Sequence, residues 1–209
     1  GILSPLYPGR YADPVTALAR WSQEHYRELC EHLREVTGID PEWTRSGLLM
    51  LGAEEQAVAA DWAARFGYGV EMLEGSAVRR CEPALGTPPD EALWMPEIAQ
   101  VRNPRLLKAV RQALEDLGGE VEPSCQVRRI LSTEGRVTGV ETEEGVLATR
   151  AVIVSAGAWT TRLLKGPCLV PEITPVRVQL LMFQVAPQSA RPTVWPHHLS
   201  ALPPCPTRG

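Results

Sequence analysis

"CQVRRILSTEGRVTGVETEEGVLATRAVIVSAGAWTTRLL" (residues 125–164) carries the densest structural signal in this chain of 209 residues. Three runs, "CQVRRILST", "RVTGVETE" and "VLATRAVIVSAG", mix aliphatic and β-branched residues with polar ones, and Glu134-Gly135 and Glu144-Gly145 separate them. That pattern predicts a β-meander joined by tight turns. It feeds "AVIVSAG" (151–157), whose lack of alternation predicts a strand buried on both faces. A short helix is expected next, in "AWTTRLLKG" (158–166).

Upstream, the texture is helical. Asp13-Pro14 is a helix-start pair, an N-cap acceptor followed by proline at the first helical position. Val15, Leu18, Ser22, Tyr26, Leu29, Leu33 and Val36 recur at spacings of three and four up to Gly38, which predicts one long amphipathic helix. "SGLLMLG" (46–52) reads as a short apolar strand, "AEEQAVAADWAARFG" (53–67) as a helix and "VEMLEG" (70–75) as a second strand. "SAVRRCEP" (76–83) reads as a helical turn stopped by Pro83, and "ALWMP" (92–96) as a third strand. Asn103-Pro104 opens another helix, with Leu106, Leu107, Val110, Ala113, Leu114 and Leu117 on its apolar side and Gly118-Gly119 as its stop. "ITPVRVQLLMFQV" (173–185) is expected as a long final strand, and the proline-dense residues 186–209 as a disordered tail. The fold class is therefore mixed α/β.

Composition narrows the chemistry. A net charge of −4 argues against a general nucleic-acid binder, which needs a concentrated basic face. No apolar run approaches the roughly 20 residues of a membrane span, and no signal peptide is visible. Cys30, Cys81, Cys125, Cys168 and Cys205 are scattered and never paired as C-x-x-C, as expected of reduced thiols in a cytoplasmic protein. His25 and His32 lie seven residues apart, about 10 Å along a helix, too far for a one-turn metal pair; with Glu28 they read as a solvated flank. No metal site is expected. "VIVSAG" lacks the first glycine of a nucleophile elbow, and no Asp follows Ser155, which excludes an acyl-transfer triad. Its small residues instead suit a strand end against which a flat or phosphorylated ligand can lie.

In order and spacing, four stretches resemble the FAD-dependent amine oxidases of the D-amino-acid oxidase group, most closely its glycine oxidase-like members. They are "GILSPLYPGRY" (1–11) with the helix after it, "SGLLMLG", "AQVRNPRLLKAVRQALEDLGGEV" (99–121), and the meander with its Ala-Gly-Ala-Trp segment. The resemblance covers residues 1–185. It implies part of a Rossmann-like FAD-binding domain (1–46 and 101–168) and part of a substrate domain with a mixed or antiparallel sheet (47–100 and 169–185). It also implies FAD as cofactor, a small amine or amino acid as substrate, and molecular oxygen as electron acceptor. Hydride would pass to flavin N5, the imine would hydrolyse, and peroxide would leave.

Transferred onto this chain, the family pattern sets Gly1, Ile2 and Leu3 along the flavin ring and the backbone of Val127 at the adenine. Ala156, Gly157 and Trp159 would flank the cofactor, and Tyr7, Arg10 and Tyr11 would border the active-site mouth. The family's G-x-G-x-x-G strand-and-helix unit and its carboxylate-gripping Tyr and Arg have no match here, and Val178 stands where relatives favour glycine. The expectation is a chain that neither holds FAD tightly nor turns over by itself. A non-catalytic binding domain derived from the same scaffold is the alternative.

Overall fold

The computed structural model describes residues 1–3, 11–51, 56–87, 89–164, 173 and 193–195. The chain divides into two compact units, Gly1–Gly119 with Val185–Gly209, and Glu120–Gln184. None of the described helices is long and apolar enough to cross a membrane.

In the first unit, β1 (Ile2–Leu3) precedes the long helix α1 (Asp13–Thr37). Then come β2 (Thr44–Arg45), β3 (Leu48–Met50), α2 (Gln56–Phe66), β4 (Glu71–Glu74), α3 (Gly75–Cys81), β5 (Glu91–Met95), β6 (Ala99–Gln100) and α4 (Asn103–Asp116). A small antiparallel sheet has the order β1-β6-β2. A mixed sheet places β3 beside β5, which pairs in turn with β4, and both of these pairings are antiparallel. On the other side of β3 lies β10 (Thr193–Trp195), in parallel.

Burial explains why β3 tolerates three apolar residues in a row. Leu48 and Met50 join Trp62 and Ala63 of α2, Leu93, Met95 and Ile98 in one core cluster. Leu49 points the opposite way and meets Val78 of α3 and Ala92. Both faces of the sheet are covered, so neither needs a polar side chain. Gly47 leads into β3 at a φ of 69°, and a Cβ there would sit 1.9 Å from the Trp94 ring. Glycine is required twice over, by conformation and by space.

The helix ends differ from the expected caps. The N-cap of α1 is Ala12, and no side chain caps it; Asp13 lies inside the first turn and pairs with Arg65. The stripe read from spacing is covered only in part, at Leu33, with Ser22 and Tyr26 half-buried. Thr16, Cys30 and Leu33 are the buried residues of α1, while Val15, Leu18, Leu29 and Val36 are exposed. In α4 only Ala109 is buried, and Leu107, Val110 and Leu114 are exposed, as is Leu117 just past its end. Spacing identifies residues that share a face, but burial needs something to cover that face.

The second unit holds the meander β7 (Val127–Thr133), β8 (Arg136–Thr142) and β9 (Val146–Ala148), in the order β7-β8-β9. Its turns fall at Glu134-Gly135 and around Glu144-Gly145, as the sequence predicts. The strand expected at 151–157 does not form. Residues 151–156 carry no regular structure, and Ile153 is 93% exposed. A strand needs a hydrogen-bonded neighbour, and among the described residues nothing pairs with this run. A 3-10 turn (Gly157–Trp159) and the short helix α5 (Thr160–Leu163) follow, where a helix was expected. Apart from Ile173, the strand expected at 173–185 lies outside the described residues, as does most of the tail; Thr193–Trp195 form a strand.

Candidate functional site

The second unit contains a cleft of about 700 Å³ lined by Gln126, Val127, Arg128, Glu143, Ala156, Trp159, Arg162 and Leu163. One wall is the start of β7, an edge strand of its sheet. Val127 pairs with Thr142 and Arg129 with Glu141, so the ladder slips by one residue at Arg128. Such a bulge frees main-chain groups and bends the strand. Because β7 has a partner strand on one side only, its outer edge is the side on which a ligand could pair with main chain near residues 126–128.

The opposite wall comes from the 3-10 turn and α5. Gly157 adopts a φ of 52°, with open space where a Cβ would lie, so its requirement there is conformational. That turn presents Trp159, 69% exposed, as a bare aromatic plane. Arg162, one turn further on, is exposed and has no ion pair among the described residues. Arg128 Nη2 lies 3.0 Å from Glu143 Oε1, with both side chains more than half exposed. A pair that exposed is weak and exchanges readily for a stronger anion.

Taken together, the cleft offers the edge of a strand, an exposed aromatic face and an exposed guanidinium that has no ion pair among the described residues. These recognise, respectively, the hydrogen-bonding edge of a base, its ring, and a phosphate. The residues present therefore fit the adenosine end of a dinucleotide such as FAD.

Of the residues expected from the sequence, Val127, Ala156 and Trp159 line this one cleft, and Gly157 shapes the turn between the last two. Gly1, Ile2 and Leu3 belong to the first unit. There the Gly1 nitrogen donates to the Val101 carbonyl, and Val101 N–H returns a bond of 2.9 Å to the Gly1 carbonyl. Ile2 is 37% exposed and Leu3 half-buried. Tyr11 is exposed just before α1, and Tyr7 and Arg10 lie outside the described residues. Sequence reading overlooked Gln126, Arg128, Glu143, Arg162 and Leu163. A signal existed for two of them: a basic residue directly follows Val127, and another stands three positions after Trp159.

The family model described as FAD dependent oxidoreductase matches residues 1–208, including the tail that the sequence resemblance left out. A glycine oxidase of Pseudomonas putida is 43% identical over 187 residues, covering 89% of this chain and 51% of that protein. A glycine oxidase of Pseudomonas aeruginosa is 37% identical over the same shares. Among solved structures, glycine oxidase from Geobacillus kaustophilus superposes with a TM-score of 0.68 at 28% identity, over 78% of this chain and 45% of that one. The chain spans about half the length of the curated relatives it matches. By its sequence and by its fold, this chain belongs to the FAD dependent oxidoreductase family.

Proposed function

We propose that this chain supplies part of an FAD-dependent amine or amino-acid oxidase of the glycine oxidase kind. The observation that carries the reading is the convergence of Val127, Ala156 and Trp159 on one cleft with an exposed arginine, Arg162. In this reading the backbone at 126–128 holds the adenine edge. Trp159 packs against the cofactor, and Arg162 balances phosphate charge. Residues 1–3 lie along the flavin ring, and Tyr7, Arg10 and Tyr11 border the substrate entrance. FAD, when bound, would supply the redox chemistry for oxidising an amine, with oxygen as the final electron acceptor. The chain's own residues contribute orientation and charge. Glycine oxidase relatives at 43% and 37% identity support a small amino acid or amine as substrate.

Titrating the chain with FAD, followed by flavin fluorescence, tests the reading. Saturable binding that ADP displaces is expected. Its dissociation constant should lie above about 10 μM, a binding free energy weaker than about 7 kcal/mol, because the cleft engages one end of the cofactor. Absence of saturable binding would refute the assignment.

A further inference from the structure

A chain of contacts in the first unit ends on the main chain of β1. Tyr68 is 9% exposed, and its ring stacks on Trp62 with centroids 4.8 Å apart and planes 3° from parallel. The Arg20 guanidinium lies 4.8 Å from the same ring, and its Nη1 donates to the Gly67 carbonyl at 2.5 Å. So anchored, the Tyr68 hydroxyl donates to Gln23 Oε1 at 2.9 Å. Gln23 Nε2 in turn donates to the carbonyl of Leu3 at 2.5 Å. The carboxamide has only one workable orientation: a carbonyl oxygen only accepts, so the amide nitrogen must face Leu3 and the amide oxygen must face the phenol. Tyr68 is thereby required as a donor, and burial, acting against Arg20, pushes its hydroxyl up to about 12. It stays protonated throughout the working range.

We propose that Gln23 is a positioning residue whose carboxamide, braced by Tyr68, clamps the Leu3 carbonyl and fixes β1. The proposal rests on the proposed function only in taking β1 as the strand that faces the flavin. Neither Gln23 nor Tyr68 touches the reacting atoms in that reading. They set where residues 1–3 stand before any cofactor arrives, and preorganised backbone lowers the ordering cost of binding.

The test is amide hydrogen exchange of the full chain without FAD, read at residues 2–3 and at Val101, whose N–H bonds Gly1. Gln23→Glu keeps an acceptor for Tyr68 but at neutral pH has no donor for Leu3. Exchange at these amides should rise about tenfold, the equilibrium worth of one such hydrogen bond. Protection should return as pH falls below about 4, where the carboxyl is protonated and donates again. Gln23→Met should lose the same protection and recover none of it in acid, which separates donation from mere packing. Tyr68→Phe should give a smaller rise, about threefold, because the amide keeps Leu3 and loses its brace. If Gln23→Glu shows no cooperative melt, Tyr68→Phe decides alone. Exchange within about twofold of the parent chain in the folded variants overturns the clamp, as does loss without acid recovery in Gln23→Glu. Altered exchange in a chain that never binds FAD would keep the clamp and refute the proposed function. Unaltered exchange in a chain that binds FAD would do the reverse.

Discussion

Leu48–Met50 and residues 151–154 are both short apolar runs, yet they meet opposite fates. The first is 0–3% exposed, flanked by β5 and β10 and covered on both faces. The second carries no regular structure, and its Ile153 stands 93% exposed. Composition is nearly the same; covering neighbours make the difference. Apolar sequence creates a demand for burial, and only a paired and covered backbone meets it.

Substitutions at matched positions test that contrast. Leu49→Ala, at a site with no exposure, should cost about 3 kcal/mol in denaturant unfolding. Gly47→Ala should cost about 2 kcal/mol, since it combines a positive φ with the displacement of Trp94. Gly157→Ala, at a positive φ with open space around it, should cost about 1 kcal/mol. Ile153→Ala should change stability by less than about 0.5 kcal/mol. A cost at Ile153 comparable to that at Leu49 would break the contrast and show the run covered in solution.

A further effect concerns pH and belongs to the well-packed region. Tyr68 ionises near pH 10 in an unfolded chain and at about 12 here, chiefly because it is buried. Its folded pKa is raised, so its contribution is complete below about pH 10 and disappears as pH climbs through about 12. Tyr68→Phe should flatten that part of the stability profile, measured by urea melts across the alkaline range. An unchanged slope would count against the buried donor.

Much of this was legible because local chemistry coincided with tertiary context. The turn at Glu134-Gly135 and the glycines Gly38 and Gly118 after the long helices follow from their own backbone preference at positive φ, and at 48–50 burial reinforced the strand signal. Helix faces were misread where context intervened: Val15, Leu18 and Val36 keep perfect spacing and remain exposed, whereas Thr16 is buried. The site was partly legible. Val127, Ala156 and Trp159 emerged from resemblance to a family, but nothing local announces that the ladder bulges at Arg128, or that Arg162 lines the same cleft. Gln23 and Tyr68 are 45 residues apart, and their hydrogen bond is invisible to any window of sequence.

In the proposed function, the cleft between β7 and the Gly157–Trp159 turn receives the adenosine end of FAD. The most direct test of that claim is FAD titration of the parent chain against Arg162→Ala at low salt. Removing one guanidinium from a phosphate should weaken binding about tenfold while leaving the melting curve unchanged. Equal affinity in the two chains would contradict the claim.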